Sequence, residues 1–193
     1  MGDPEEFLVK TQNLGVKQYR PVHSENLSKW MPENKFELFM TSASLKFPVT
    51  TQLFEDYRQS RELPNTHEFL AVYHIASGEH IGHFELKNIS LNHEHGTLAH
   101  VLLGDKKFRG TGYGKELCQL MADYGFNIKK LHRLSASVQL CNIAAITVYV
   151  KGGFVMEGII RDVLKFDGKR YSLYQMSLLR SDWRSTTREK LDP

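Results

Sequence analysis

The stretch that decides the fold of this chain is Lys106-Lys107-Phe108-Arg109-Gly110-Thr111-Gly112-Tyr113-Gly114-Lys115. Three glycines within five positions allow the backbone to approach an anion closely, and the neighbouring cations favour the negative charge of that anion. The stretch therefore predicts a turn that binds phosphate groups.

An amphipathic helix is predicted directly after the glycines. Its apolar residues recur at helical spacing with polar residues on the opposite face, and they are Leu117, Leu120, Met121, Tyr124 and Ile128. The first N–H groups of such a helix lack partners within it, and the positive end of its dipole lies at the same place. The turn and the helix start together predict an anion site made of main-chain atoms.

Two common phosphate loops are excluded by spacing. A dinucleotide-binding loop would need its third glycine at Lys115, whereas the chain has Gly114. A Walker A loop would need Gly-Lys followed by Ser or Thr, which this stretch lacks. A flexible surface loop before an ordinary helix is the remaining alternative.

The run Arg109-Gly110-Thr111-Gly112-Tyr113-Gly114 resembles the Arg/Gln-x-x-Gly-x-Gly/Ala motif of the GNAT family of N-acetyltransferases. In that family this loop binds the pyrophosphate of coenzyme A. The resemblance implies that acetyl-CoA is the cosubstrate and that Arg109 to Lys115 contribute to its site. No metal cofactor is expected, because the histidines of the chain lack the spacing of metal ligands.

Composition indicates one globular domain. The 193 residues are 41% hydrophobic, so a core can form without disulfides or metals. The formal net charge is only +3 with basic residues spread along the chain, so we expect no nucleic-acid partner. No stretch approaches the roughly 20 apolar residues of a membrane span, so no membrane partner is expected either. The domain is predicted over residues 1–183, followed by a polar tail over 184–193.

The two cysteines, Cys118 and Cys141, form neither a metal-binding motif nor a disulfide framework. A reducing, cytoplasmic setting is therefore expected.

The remaining patterns predict an antiparallel meander before the glycine loop. Three short helices are expected first: one from Ser24, as N-cap, to Met31, one beginning near Pro32, and one capped by Thr50 or Thr51. The expected strands are 16–20, 68–75, 80–89, 97–103, 134–138, 154–166 and 170–179.

The helix after the glycine loop joins two parallel strands. The family resemblance implies that these strands splay apart and admit the pantetheine arm, whose amides would pair with main-chain groups of Leu102, Leu103 and Gly104. The expected fold class is α/β, specifically the GNAT (acyl-CoA N-acyltransferase) fold. It has a mixed, mostly antiparallel sheet with splayed central parallel strands, flanked by helices.

A second informative stretch runs from Asn142 to Phe154. Its β-branched residues over 146–150 favour a strand, whereas Asn142 as N-cap and Gly152-Gly153 as a stop favour a helix. The stretch resembles the family motif Asn-x-x-Ala-x-x-x-Tyr-x-x-x-Gly-Phe, and that resemblance selects the helix. It also assigns Asn142, Tyr149 and Lys151 to the cosubstrate site.

The family reaction requires an acceptor amine to lose a proton and a departing thiolate to gain one. Tyr149 matches the family tyrosine whose hydroxyl lies near the sulfur, and it is the predicted general acid. The alternative is a core tyrosine that only fills space.

Glu85 is the predicted general base, because it resembles the acidic residue that several family members carry on this strand. Alternation places it on the face opposite Phe84 and Leu86. The alternatives are that Glu85 is an ordinary solvated carboxylate, or that His83 or His100 acts as the base.

Other polar clusters carry weaker predictions. The histidines 80, 83, 93, 95 and 100 lack the ligand spacing of a metal site. Four acidic residues of the early helices could attract a cationic amine, although such residues usually face water; they are Glu33, Glu37, Glu55 and Asp56.

The predicted function is transfer of an acetyl group from acetyl-CoA to a primary amine by direct attack. The downstream half resembles the branch that holds spermidine and ribosomal-protein acetyltransferases, so a small amine, a polyamine or a protein N-terminus is the expected acceptor. The alternative is a non-catalytic acyl-CoA-binding sensor or scaffold. A homodimer is a reasonable expectation for its assembly.

Overall fold

The computed structural model describes residues 6–63 and 65–183, and these form one eight-stranded sheet in the order β1-β2-β3-β4-β5-β6-β8-β7. The strands are β1 (Val9–Lys10), β2 (Leu14–Gln18), β3 (His67–His74), β4 (Glu79–Ser90), β5 (His95–Leu103), β6 (Arg133–Gln139), β7 (Val155–Phe166) and β8 (Lys169–Leu179). Only β5 and β6 are parallel; every other neighbouring pair is antiparallel. The predicted fold class is thereby confirmed.

The helices are α1 (Ser24–Trp30), α2 (Lys35–Thr41), α3 (Thr51–Arg61), α4 (Tyr113–Asp123) and α5 (Ile143–Lys151). A π-helical turn, Tyr124–Ile128, extends α4 to the end of the predicted apolar pattern. Neighbouring residues of β3 belong to different cores: Leu70 packs with α4 and α5, whereas Phe69 packs with residues of α1, α2 and α3. The sheet therefore separates the glycine loop and its helix from the three early helices.

Helix starts are where the sequence predictions differ most from the structure. Ser24 was predicted as the N-cap of α1, but it is the first helical residue and follows a 3-10 turn, Pro21–His23. The reason is tertiary: the Ser24 hydroxyl lies 2.6 Å from the Tyr19 hydroxyl and also donates to Glu55, so it does not cap the helix.

The second helix begins at Lys35 and not at Pro32. The Asn34 side chain accepts a hydrogen bond from the Glu37 N–H at 2.9 Å and so provides a better start. The predicted cap Thr50 is confirmed for α3, since its hydroxyl accepts from the Leu53 N–H at 3.1 Å. The tail predicted over 184–193 lies outside the described residues.

The parallel pair β5 and β6 separates within the sheet. Their pairing runs only from His95 opposite Arg133 to Leu98 opposite Ala136, although both strands continue. On its other side β5 has a bulge against β4, because Glu85 faces Ala99 while His83 faces Leu102. The predicted splay is present, and it begins at the bulge.

Among the described residues, every helix is too short or too polar to cross a membrane.

Candidate functional site

The glycine turn before α4 has the geometry expected of an anion cradle. Gly110 and Gly112 have φ angles of +76° and +92°, a region that residues with a Cβ rarely adopt. Apart from each glycine and its two neighbours in the chain, no heavy atom lies within 4 Å of the place where a Cβ would stand, so the space over the turn is open. The exposed side chains of Lys106 and Lys115 lie on either side of this turn in the chain.

Arg109 attaches this turn to the end of β5. Its Nε donates to the Leu103 carbonyl at 2.9 Å, and its Nη2 donates to the Gly104 carbonyl at 3.0 Å. The guanidinium therefore joins the predicted phosphate turn to the strand predicted to bind the pantetheine arm. Lys107, in contrast, forms an ion pair with Glu79 at 2.6 Å and points to the β3–β4 hairpin.

The main-chain groups at the end of β5 differ in whether they are free to hydrogen-bond a ligand. The Gly104 N–H already donates to the Ile81 carbonyl at 2.9 Å, so it pairs within the sheet and not with a ligand. Leu102 and Leu103 pair with His83 and Gly82 on the β4 side. Because alternate residues of an antiparallel strand direct their N–H groups to opposite sides, Leu103 is the one directed towards the gap left by β6.

Helix α5 packs directly on the first turns of α4. A Cβ at Gly114 would lie 2.9 Å from Val148 Cγ2, and one at Gly152 would lie 2.6 Å from Cys118 Cβ. The predicted N-cap is confirmed, because Asn142 Oδ1 accepts from the Ala145 N–H at 3.1 Å. These close contacts hold the two predicted motifs side by side, although they are separated by about thirty residues of chain.

Tyr149 is enclosed at this helix pair. Its ring is 6% exposed and meets Phe154 edge to face, with 4.9 Å between ring centroids. Burial, followed by the nearby Cys118 thiol, raises the pKa of Tyr149 far above its usual value of 10. A tyrosine hydroxyl is protonated at neutral pH even at its usual pKa of about 10, and burial keeps Tyr149 in that state, which a general acid requires.

Lys151, at the end of α5, is exposed two residues after Tyr149.

Glu85 lies on the other face of the sheet in a buried cluster of polar rings. Its side chain is fully buried, and His67 Nε2 and His100 Nδ1 lie 2.8 Å and 2.6 Å from its two oxygens. The Tyr57 hydroxyl donates to Oε2 at 3.0 Å, and His83 Nε2 lies 3.5 Å from Oε1. Glu85 is thus opposite Phe84 and Leu86 as predicted, but it is not a solvated carboxylate.

The electrostatics of this cluster favour an ionised Glu85. Burial alone would raise the pKa of the carboxyl, but the imidazole of His100, with the hydrogen bonds from His67 and His83, holds it well below its usual value of 4.5. Burial lowers the pKa of His83 and raises the pKa of Tyr57. An ionised carboxylate only accepts hydrogen bonds, so the ring nitrogens that face it carry the protons.

His100 occupies the bulge where the strands separate. Its φ angle is +46°, and its ring reaches from Glu85 to two hydroxyls, with Nε2 lying 2.7 Å from Ser42 Oγ and 3.1 Å from Ser44 Oγ. Sequence reasoning considered His100 only as an alternative base and missed Tyr57, Ser42 and Ser44. The sequence did contain one signal for a polar cluster around Glu85: His83 and Glu85 are two residues apart on a strand, so their side chains lie on the same face of the sheet.

Of the remaining predicted polar residues, His80 and Glu55 have structural partners. Burial lowers the pKa of His80 to about 3, and its Nε2 donates to the Gly82 carbonyl at 2.9 Å. Glu55 forms an ion pair with Arg58 at 3.0 Å, so it is not available to attract an amine. Glu33 and Glu37 remain exposed. In the part of the chain that the structure describes, no group of His, Cys, Asp or Glu side chains is arranged to hold a metal ion.

Comparison with known proteins identifies the family. The model of the acetyltransferase (GNAT) domain matches residues 13–155 of this chain. The probable N-acetyltransferase YjcK of Bacillus subtilis (strain 168) is 41% identical over 64 residues, which are 33% of this chain and 35% of YjcK. The spermidine N(1)-acetyltransferase of Vibrio cholerae serotype O1 is 27% identical over 135 residues, covering 67% of this chain and 77% of that protein.

A solved structure has the same fold. The spermidine N-acetyltransferase from Vibrio cholerae, crystallised in complex with CoA and spermine, superposes with a TM-score of 0.76 at 20% identity. The superposition covers 90% of this chain and 99% of that one.

Proposed function

The chain belongs to the acetyltransferase (GNAT) family, and on that premise we propose that it transfers an acetyl group from acetyl-CoA to a primary amine of a small polyamine. The observation that carries this proposal is the separation of β5 from β6 immediately beside the glycine turn at the start of α4. The gap between β5 and β6 fits the extended pantetheine arm of an acyl-CoA molecule. The glycine turn that follows β5 fits its pyrophosphate.

The residues of the turn fit such a ligand. Gly110 and Gly112 leave open space where other residues would carry a Cβ, so an anion can approach their N–H groups. Arg109 positions the turn by bonding the carbonyls of Leu103 and Gly104, and the exposed Lys106 and Lys115 add positive charge. When bound, acetyl-CoA would supply the activated acetyl group.

Side chains of this protein would protonate the departing thiolate and deprotonate the acceptor amine. We assign to Tyr149 the role of general acid, because it occupies the tyrosine position of the predicted α5 motif, packs beside Cys118 of α4 and carries its proton. That Glu85 assists deprotonation of the amine stays a prediction, and because its side chain is fully buried, we propose that it acts through a neighbouring side chain and does not contact the amine itself.

A polyamine is the acceptor class that the relatives favour. One relative is named for spermidine, and the structural neighbour was crystallised with spermine. A protein N-terminus remains the second arm of the test, because the same family fold serves acceptors of different size.

The test is release of free thiol from acetyl-CoA by the full chain, measured with spermidine, spermine, an aminoglycoside, an amino sugar and a peptide with a free N-terminus. Turnover with the polyamines but not with the peptide supports the proposal, and turnover only with the peptide replaces the acceptor. Binding of acetyl-CoA without turnover on any acceptor would favour the rival function, a non-catalytic acyl-CoA sensor.

The cytoplasmic location inferred from the cysteines also stays a proposal. It is supported by the state of both thiols, which are free: Cys118 is buried and Cys141 is exposed.

A further inference from the structure

We propose that His100 is the general base of the acetyl transfer, and that the buried Glu85 positions it. This inference rests on the proposed function and identifies which atom receives the proton of the acceptor amine. Its starting point is exposure: the Glu85 side chain is 0% exposed, whereas the His100 side chain, bonded to it at 2.6 Å, is 14% exposed.

The carboxylate of Glu85 has no position left for an acceptor. Oε1 accepts from His100 Nδ1 and faces His83 Nε2, while Oε2 accepts from the Tyr57 hydroxyl and from His67 Nε2. With two hydrogen-bond donors facing each oxygen, the carboxylate is held in one position and orients the side chains that donate to it. It cannot itself contact a substrate without the cluster opening.

His100 is oriented with its second nitrogen towards the open side. Because the ionised Glu85 only accepts hydrogen bonds, His100 Nδ1 carries a proton, and in the neutral ring Nε2 holds the lone pair. That lone pair accepts hydrogen bonds from the hydroxyls of Ser42 at 2.7 Å and Ser44 at 3.1 Å, so an acceptor amine reaches it by displacing the Ser44 hydroxyl. Ser42 is buried and Ser44 is exposed, so the route to Nε2 runs past Ser44.

The position of His100 on β5 places it next to the proposed reaction centre. It occupies the bulge at which β5 leaves β6, three residues before Leu103, the residue directed towards the gap. At about 3.3 Å per residue along a strand, this is about 10 Å from the main chain expected to bind the pantetheine arm. Its φ angle of +46° is unusual for a residue with a side chain and directs the ring across the sheet face towards α3.

His100 Nε2 takes one proton from the ammonium group of the acceptor, whose nitrogen keeps the electron pair and forms the C–N bond to the acetyl carbonyl. As the C–S bond breaks, the Tyr149 hydroxyl protonates the departing thiolate, and the second proton lost by the attacking nitrogen replaces the proton of Tyr149 through solvent. The imidazolium of His100 is stabilised by Glu85, and it later returns its proton to solvent. The ionisable groups facing the ring are Glu85 on β4 and Tyr57 on α3, and His67 on β3 and His83 on β4 reach it through Glu85.

The experiment measures kcat/KM for the best amine acceptor from about pH 6.5 to about pH 9.5, a range in which an alkylammonium becomes progressively deprotonated. The main variant is His100→Asn, because its side-chain amide can still donate to Glu85 but cannot replace Nε2. His93→Gln, an exposed histidine of the β4–β5 turn, is the matched control.

For His100→Asn we expect a loss of about 10²- to 10⁴-fold in kcat/KM near neutral pH, with unchanged affinity for acetyl-CoA. The loss should shrink as pH rises, because more of the amine is already unprotonated. A defect that is the same at every pH would show a merely structural role and overturn the inference. So would wild-type activity in His100→Asn or, should that variant not fold, in His100→Gln.

The role of Glu85 is tested in two backgrounds. Glu85→Gln should lower kcat/KM strongly in the wild-type chain but by less than about 3-fold in His100→Asn, because residues that act as one unit are not additive. Equal losses in both backgrounds would mean that Glu85 acts independently of His100. If the wild-type chain releases no thiol with any acceptor, the proposed function fails; if it does and His100→Asn is unimpaired, only this inference fails.

Discussion

Burial between α4, α5 and Phe154 makes the phenolate of Tyr149 costly and raises its pKa above the usual 10, so the hydroxyl stays protonated at neutral pH, as an ordinary tyrosine also does. A hydroxyl in that state can donate a proton to a departing thiolate but cannot accept one from an amine. The two proton transfers of the proposed reaction are therefore assigned to opposite faces of the sheet, with Tyr149 on one and the Glu85 cluster on the other.

Removing this hydroxyl should separate chemistry from binding. For Tyr149→Phe we expect kcat to fall by about 10²-fold or more while the Kd of acetyl-CoA stays within about 2-fold, because the ring still fills its site. Steady-state kinetics and calorimetric titration measure the two quantities. Tyr171→Phe, a change in a half-buried tyrosine of β8, serves as the control, and unchanged turnover in Tyr149→Phe would refute the general-acid assignment.

At the scale of elements, the start of α4 depends on two features: the left-handed turn before it and the anchoring of its first turn by Glu116. A substitution at Gly112 alters the turn, and a substitution at Glu116 alters the anchor, so the two features can be tested separately. Both position the start of α4, where the cosubstrate is proposed to bind.

Gly112→Ala should weaken acetyl-CoA binding by more than it destabilises the fold. A φ angle of +92° costs a residue with a Cβ about 1–2 kcal/mol, so the turn is expected to relax away from the geometry that exposes its N–H groups. Gly78→Ala is matched, since Gly78 has a φ angle of +68° and open space around it but lies in the β3–β4 hairpin. Similar losses of acetyl-CoA affinity in both variants, measured by calorimetry, would contradict the prediction.

Glu116 anchors α4 to the turn between β1 and β2. Its Oε1 accepts from the Thr11 hydroxyl at 2.6 Å and from the Asn13 N–H at 2.6 Å, and its Oε2 accepts from Asn13 Nδ2 at 3.0 Å. Partial burial would raise the pKa of this carboxyl, but the hydrogen bonds from Thr11 and Asn13 outweigh burial and lower it below 4.5. The ionised form therefore stabilises the fold.

This anchor predicts a pH-dependent stability difference. Glu116→Ala should lower the free energy of unfolding by about 1–3 kcal/mol at pH 7. We expect the lower end of this range, because Glu116 is only partly buried and solvent screens its hydrogen bonds. Because the folded-state pKa is depressed, the contribution is complete above about 4.5 and is lost as pH falls through the folded value. Urea unfolding at neutral and acidic pH measures it, with exposed Glu33→Ala as control; a difference that does not shrink in acid would contradict the assignment.

At the scale of the whole molecule, the sheet ends in an unusually apolar edge. Among the residues that the structure describes, strand β7 pairs only with β8. It carries exposed apolar side chains along its length, and these are Val155, Met156, Ile159, Ile160 and Val163. An exposed, apolar edge strand is a surface on which another chain can pair.

We expect a second copy of this chain to cover that edge, in agreement with the homodimer expectation from sequence. Ile159→Lys, which introduces a charge at a half-exposed position, should shift the protein to the monomer in light scattering coupled to size exclusion, with little change in the melting temperature of the monomer. Val22→Lys alters an exposed valine in the turn before α1 and should leave the assembly unchanged. A wild-type chain that is monomeric at all concentrations would refute the prediction.

The sequence by itself determined the order of the five helices and of seven of the eight strands that the structure describes, missing the two-residue β1, and it located both predicted cosubstrate motifs, because these signals are local. Glycines that need positive φ angles, an asparagine cap and apolar spacing act within a few residues of one another. For that reason the glycine turn, α4 and α5 were predicted within one or two residues. The helix over 146–150 is the exception among them, since local propensity favoured a strand and the resemblance of the whole motif selected the helix.

Only the tertiary structure decided the surroundings of Glu85. Its partners Tyr57, His67 and His100 come from three separate elements that the β3–β4–β5 register and the packing of α3 bring together. The same applies to Ser24, whose hydroxyl bonds Tyr19 and Glu55 and leaves the cap unmade. Burial and long-range pairing depend on where distant segments meet, and a pattern of neighbouring residues does not contain that information.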